Sequence, residues 1–194
     1  MGTLLNRRRY MGGGKGLPYD AEIEYLEADG TQWLSTGITA KNGIDVIIDC
    51  LYTYSPSKTK VMVGPSDKSG WWAGSTGGKW GVTANTANNP SSLVRHIIDV
   101  KYAYITEIYV DGVYYQGQVR GGTVANPIAL FNAYNSSFQS NARLYSAIIK
   151  DGDTVVFDAI PVRVGTTGYL YDKVSGTLFG NAGTGSFVLG PDKT

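Results

Sequence analysis

Residues 143–163 constrain the fold more than any other stretch of this chain. They read Arg143-Leu144-Tyr145-Ser146-Ala147-Ile148-Ile149-Lys150-Asp151-Gly152-Asp153-Thr154-Val155-Val156-Phe157-Asp158-Ala159-Ile160-Pro161-Val162-Arg163. The stretch alternates, turns at a Gly-containing tip and alternates again. Successive strand residues point to opposite faces, so this is the pattern of antiparallel strands joined by a turn. Ile44 to Tyr52 reads as another long strand, and residues 104–115 as a hairpin turning at Asp111-Gly112, the strongest short turn signal. Shorter strand-like runs lie at 23–25, 32–38, 60–63, 71–73, 80–82, 93–100 and 127–131. No segment carries a sustained helical stripe, and at most a helical turn is expected near Pro90-Ser91-Ser92. The 26 glycines, without a collagen-like period, agree with many turns. Spaced strands with turn chemistry between them predict an all-β, two-sheet antiparallel sandwich of jelly-roll type.

Residues 18–194 are expected to form this one domain, and residues 1–17 an extended arm. Arg7-Arg8-Arg9-Tyr10 followed by Gly12-Gly13-Gly14-Lys15-Gly16 cannot bury enough apolar surface to fold alone. Arg7, Arg8, Arg9 and Tyr10 are the candidate anchoring residues for a partner. The net charge of +1 provides no global field for DNA or membrane, and three arginines beside a neutral body do not argue for nucleic-acid binding. No apolar run is long enough to span a bilayer, and none follows the first charged residues as a signal peptide requires. A single cysteine, Cys50, excludes an internal disulfide.

The chemistry-bearing residues are sparse. His96, the one histidine, shares parity with Val94, Ile98 and Val100, so it reads as a structural residue rather than a general base. Cys50 shares parity with Ile44, Val46, Ile48 and Tyr52 and reads as core. Same-face acid pairs occur at Glu22 and Glu24, Glu27 and Asp29, and Asp45 and Asp49. The first faces solvent on a terminal strand, the second leads into a turn, and the third either lines a surface or faces water. Neither Gly14-Lys15 nor Gly78-Lys79 has the remaining P-loop residues. Asp67, Asn85 and Asn132 offer oxygen ligands but no calcium-binding spacing, so no metal or other cofactor is expected. The aromatic and amide content remains. Trp71, Trp72 and Trp80 stand among glycines, and Asn132, Tyr134 and Asn135 fall in an expected loop. Ring faces and planar hydrogen-bonding groups suit carbohydrate, so these six are the candidate ligand-binding residues.

Several segments together carry a family resemblance: residues 23–38 (Ile-Glu-Tyr-Leu-Glu-Ala-Asp-Gly-Thr-Gln-Trp-Leu-Ser-Thr-Gly-Ile), Ile108-Tyr109-Val110-Asp111-Gly112, Arg143-Leu144-Tyr145-Ser146, Ile160-Pro161-Val162-Arg163, Tyr171-Asp172-Lys173-Val174-Ser175-Gly176 and Phe179-Gly180-Asn181-Ala182-Gly183-Thr184-Gly185. From about Tyr19 to Asp192 the chain resembles the concanavalin A-like lectin/glucanase superfamily, and most of all the laminin-G-like domains of gut Bacteroidetes and their phages. The resemblance implies a concanavalin A-like jelly roll and does not specify a ligand. Glucanases of the superfamily carry a Glu-x-Asp-x-x-Glu strand. Here Glu27-Ala28-Asp29-Gly30-Thr31-Gln32 ends in glutamine and is broken by glycine, so no enzyme activity and no catalytic residue is expected. The opening Leu4-Leu5-Asn6-Arg7-Arg8-Arg9-Tyr10 looks like that of phage virion proteins. The implied protein is a lectin-like component of a phage head, fibre or tail, on the virion surface, anchored to other virion proteins by its arm, contacting host or mucin glycans and forming homo-oligomers. The alternatives are a purely cementing virion protein that binds no sugar and, third, a glycoside hydrolase using Asp45 and Asp49.

Overall fold

The computed structural model describes residues 16–65, 73–82, 84–85, 89–119, 126–132 and 138–194. Its strands are β1 (Ala21–Glu22), β2 (Leu26–Asp29), β3 (Leu34–Thr39), β4 (Ile44–Tyr52), β5 (Lys60–Pro65), β6 (Ala73–Thr76), β7 (Lys79–Val82), β8 (Ala84–Asn85), β9 (His96–Tyr102), β10 (Ile105–Val110), β11 (Val113–Val119), β12 (Pro127–Leu130), β13 (Asn141–Asp151), β14 (Thr154–Val164), β15 (Thr167–Asp172), β16 (Thr177–Phe179) and β17 (Val188–Leu189). Among the described residues there is no α-helix. The segment after Pro90 forms a bridge from Ser91 to Lys79 and a short turn rather than a helical one.

One sheet runs β11-β10-β9-β4-β13-β14-β15-β16, with β1 beside β14, β2 beside β13 and β17 beside β2. The second runs β3-β12-β5-β6-β7-β8. The two antiparallel sheets pack face to face as a jelly-roll sandwich. The long hairpin is β13 and β14, paired from Ala147↔Ala159 to Asp151↔Thr154. The Asp111-Gly112 turn has both central residues at positive φ, 51° and 80°, as a two-residue hairpin requires.

Strict alternation on β4 buries Ile44, Val46, Ile48, Cys50 and Tyr52 and leaves Asp45, Ile47, Asp49 and Leu51 facing outward. Those buried residues meet Leu34, Met62, Val63, Ile128, Leu130 and Phe131 of the second sheet in a single core. Trp80 corrects an expectation. It is fully buried, with its ring edge-on to Tyr52 at 5.2 Å between centroids, so it cannot stack on a ligand. Its neighbours on the small sheet include Ala73 and Ser75, and Gly74 pairs with Gly81. A tryptophan ring fills the space such small side chains leave, and its large apolar area favours that place over solvent.

One irregularity of the large sheet opens its outer face. Beyond Ala147↔Ala159, β13 and β14 separate. The chain that pairs with β14 as β1, at Glu22↔Val162, crosses over and pairs with β13 as β2, at Leu26↔Leu144. The crossing segment is Ile23-Glu24-Tyr25. On the other side of β13, the register with β4 shifts between Leu144 and Ser146, a bulge at Tyr145. Both segments therefore slip by one residue: buried Ile23 is followed by buried Leu26, and buried Leu144 by buried Ala147. Each slip turns a tyrosine outward beside another outward residue.

Candidate functional site

The coincident slips bring Tyr25 and Tyr145 together on the outer face of the large sheet, with ring centroids 5.6 Å apart in an edge-to-face arrangement. Each ring carries a guanidinium. Arg95 lies 3.7 Å from the Tyr145 centroid and Arg143 lies 4.4 Å from that of Tyr25. Each arginine is held in turn by a carboxylate. Arg95 donates from Nε and Nη2 to the two oxygens of Asp49, both at 2.7 Å. Arg143 donates from Nε to Glu27 Oε2 at 2.6 Å, across the Arg143↔Glu27 register pair. Hydrogen bonding to Asp49 holds the Arg95 guanidinium above its ordinary pKa despite partial desolvation, and Glu27 does the same for Arg143. The arginines are thus fixed cations with oriented planes.

A cleft of about 390 Å³ opens where β13 and β14 part, lined by Glu24, Asp49, Arg95, Tyr145, Ser146, Ile160 and Lys193. Its walls have separate origins. Asp49 comes from the outward parity of β4, Ser146 from the β13 bulge and Ile160 from β14. Glu24 lies on the crossing segment. Lys193 lies on the tail, whose Asp192 bridges to Ile23. Arg95 ends the segment that leads from the small sheet into β9, and that segment is firmly tied. The Ser92 amide donates to Gly78, its carbonyl accepts from Tyr52, and its hydroxyl meets Ser75 Oγ at 2.7 Å. The cleft combines an aromatic edge, an aliphatic side chain, a hydroxyl, two carboxylates and two cations. Such a set can accept from and donate to a polyhydroxyl ligand while covering an apolar C–H face.

The expected site residues fall differently. Trp71, Trp72, Tyr134 and Asn135 lie outside the described residues, as do Arg7, Arg8, Arg9 and Tyr10. Asn132, expected in a ligand-contacting loop, lies two residues beyond β12 and is only 7% exposed, and its Oδ1 has no hydrogen-bond partner. That burial makes it part of the interior rather than of the outer cleft. His96 points its Nδ1 at Asp111 Oδ2, 2.6 Å away, and its Nε2 at the Ser91 carbonyl, 3.1 Å away. It ties the start of β9 to the β10–β11 turn, a structural position. Partial burial pushes Asp111 up, but the Ile97 amide and His96 outweigh it and hold the carboxyl below its ordinary value. Among the described residues, no group of three or more His, Cys, Asp or Glu side chains is placed to share a metal ion.

Asp45 and Asp49 share the outer face of β4 but not a site. Four residues of strand separate their Cα atoms by about 13 Å. That exceeds the ~6.5–9.5 Å between the carboxyls of an inverting glycosidase. Asp45 stands between Lys101 on β9 and Lys150 on β13. Desolvation raises its pKa against the pull of those lysines. Desolvation also raises that of Asp99, its diagonal neighbour on β9, with the Asp45 charge adding to the effect, and Asp99 Oδ1 is buried without a hydrogen bond.

No protein-family model matches the chain, and no curated protein matches it in sequence. Among solved structures, the chain is similar to a "putative carbohydrate binding protein" from Bacteroides ovatus ATCC 8483, with a TM-score of 0.60 at 8% identity. The likeness covers 90% of this chain and 61% of that one, so this chain spans less than two thirds of its length. An alginate lyase of polysaccharide lyase family 7, AlgAT5, superposes with a TM-score of 0.38 at 13% identity, over 61% of this chain and 62% of that chain. The architecture and the first of these likenesses define the class by fold: a two-sheet antiparallel jelly-roll sandwich.

Proposed function

We propose that this protein is a non-enzymatic, lectin-like module that binds glycan in the outer cleft of its large sheet. The observation that carries the reading is the cleft at the strand crossover, where Tyr145, Ile160, Ser146, Glu24, Asp49, Arg95 and Lys193 converge. The similarity in fold to a Bacteroides ovatus protein described as carbohydrate binding supports it. Recognition does not require strong single-site affinity if copies are displayed together, because linked copies gain avidity. We further propose that display takes place on a phage particle, as a head, fibre or tail component, with residues 1–17 docking on other virion proteins. The basic and glycine-rich sequence of that segment supports this.

An array of bacterial-surface and mucin glycans, probed with multivalently presented protein, tests the first proposal. Binding to one glycan class that is competed by the free sugar and weakened by Arg95→Ala is the expected result. Absence of binding at high loading refutes it and favours a purely cementing role. The second proposal predicts that deleting residues 1–17 removes the protein from purified particles. Retention on particles refutes docking through the arm.

A further inference from the structure

Within the glycan reading above, on which this rests, we infer that the outer cleft takes an uncharged sugar and rejects an acidic one. Asp49 takes the Nε and Nη2 edge of Arg95 through two 2.7 Å hydrogen bonds and compensates its charge, so this guanidinium offers a ligand carboxylate no unpaired cation. The remaining charged groups of the cleft are Glu24 and Lys193, both exposed. Among the described residues neither belongs to an ion pair. Their backbones are fixed side by side. The Glu24 amide donates to the Pro191 carbonyl and the Lys193 amide donates to the Glu22 carbonyl, each at 2.9 Å. Arg163 clasps the tail through both oxygens of Asp192, at 2.7 and 2.6 Å.

Two carboxylates and two cations leave the lining with no net formal charge. A hydroxyl both donates and accepts, so a neutral sugar can serve Glu24 and Lys193 together. A carboxylate or sulfate only accepts. It would find one unpaired cation, Lys193, and meet Glu24 as a like charge. Discrimination of this kind comes from repulsion of the wrong ligand as much as from attraction of the right one. Glu24 is the residue that sets the preference.

The test measures binding of neutral hexose oligosaccharides and of uronate oligosaccharides of equal length to the full chain, to Glu24→Gln and to Lys193→Gln. Circular dichroism of each variant verifies the fold. The full chain should bind the neutral class at least tenfold more tightly, with little dependence on salt. Glu24→Gln should narrow that ratio by a rise in uronate affinity, a gain that a loss of folding cannot mimic. Lys193→Gln should weaken both classes. Uronate affinity equal to or above neutral affinity in the full chain overturns the inference and leaves the glycan reading standing, as does a ratio unmoved by Glu24→Gln. Failure of both classes to bind overturns the glycan reading and this inference with it.

Discussion

The inner and outer faces of the large sheet share a backbone and differ in almost everything else. On β4 the inner side chains, Ile44, Val46, Ile48, Cys50 and Tyr52, are buried without interruption. The outer ones, Asp45, Ile47, Asp49 and Leu51, are partly exposed and diverge in their surroundings. Asp49 is matched by a forked arginine stacked on a tyrosine. Asp45 sits between lysines, next to the poorly partnered Asp99. Close packing makes the inner face intolerant of any change in volume. The outer face is free to vary its chemistry from one end to the other. Stability and recognition are therefore carried by opposite parities of the same strands, and substitutions can separate them.

The sharpest break of this comparison is Trp80→Ala, which removes the largest fully buried side chain among the described residues. It should cost about 3–5 kcal/mol of stability, read from urea unfolding. A loss below about 1 kcal/mol would mean that the ring is not part of the packed interior. Next comes Asp172→Ala. The Asp172 carboxylate accepts from the Asp158, Val174 and Ser175 amides at 2.8, 3.1 and 3.0 Å and from the Ser175 hydroxyl at 2.6 Å. Orphaning those donors should cost about 1–3 kcal/mol at neutral pH. Burial raises the pKa of Asp172, but these bonds outweigh it and leave the folded value lowered. Its contribution is thus complete above the ordinary aspartate value of about 3.9 and is lost as pH falls through the lower folded value. The gap between the parent protein and the variant should close in acid.

On the outer face the balance reverses. Arg95→Ala should weaken glycan binding about tenfold, or about 1.4 kcal/mol, in titration calorimetry. Stability should change by less than about 1 kcal/mol, because the Arg95 side chain is 54% exposed and its removal opens Asp49 to water. A large stability loss with binding intact would reassign the pair to the scaffold. The smallest effect is Asp99→Asn. Desolvation, with the Asp45 charge adding to it, raises the folded pKa of Asp99. The folded state therefore binds that proton more tightly than the unfolded one, and stability falls as pH rises from the ordinary aspartate value through the raised folded value. Asparagine removes this penalty, so Tm should be slightly higher than the parent's at neutral pH and converge with it in acid. A lower Tm at neutral pH would show that the ionised carboxylate has a stabilising partner.

Much of the architecture could be read from residue order, because a strand exposes its face pattern with a period of two. The β13–β14 hairpin, the long β4, the Asp111-Gly112 turn and the interior place of Cys50 all follow from parity and turn chemistry. The slip that builds the cleft also leaves a local trace, since buried positions change from even to odd between Leu144 and Ala147. Its meaning does not follow from that trace. Only the packed sheets bring the crossing at Glu24, the bulge at Tyr145, the segment end at Arg95 and the tail at Lys193 to one place, across separations that no local pattern encodes. Trp80 shows the same limit in reverse: flanking glycines suggested an exposed ring, but the space between the sheets, set by the small side chains around it, decided that the ring is buried. Residue order determined which face each strand residue takes. Tertiary structure decided which of those faces meet, because a site of this kind is made by long-range contacts between segments whose local sequences are independent.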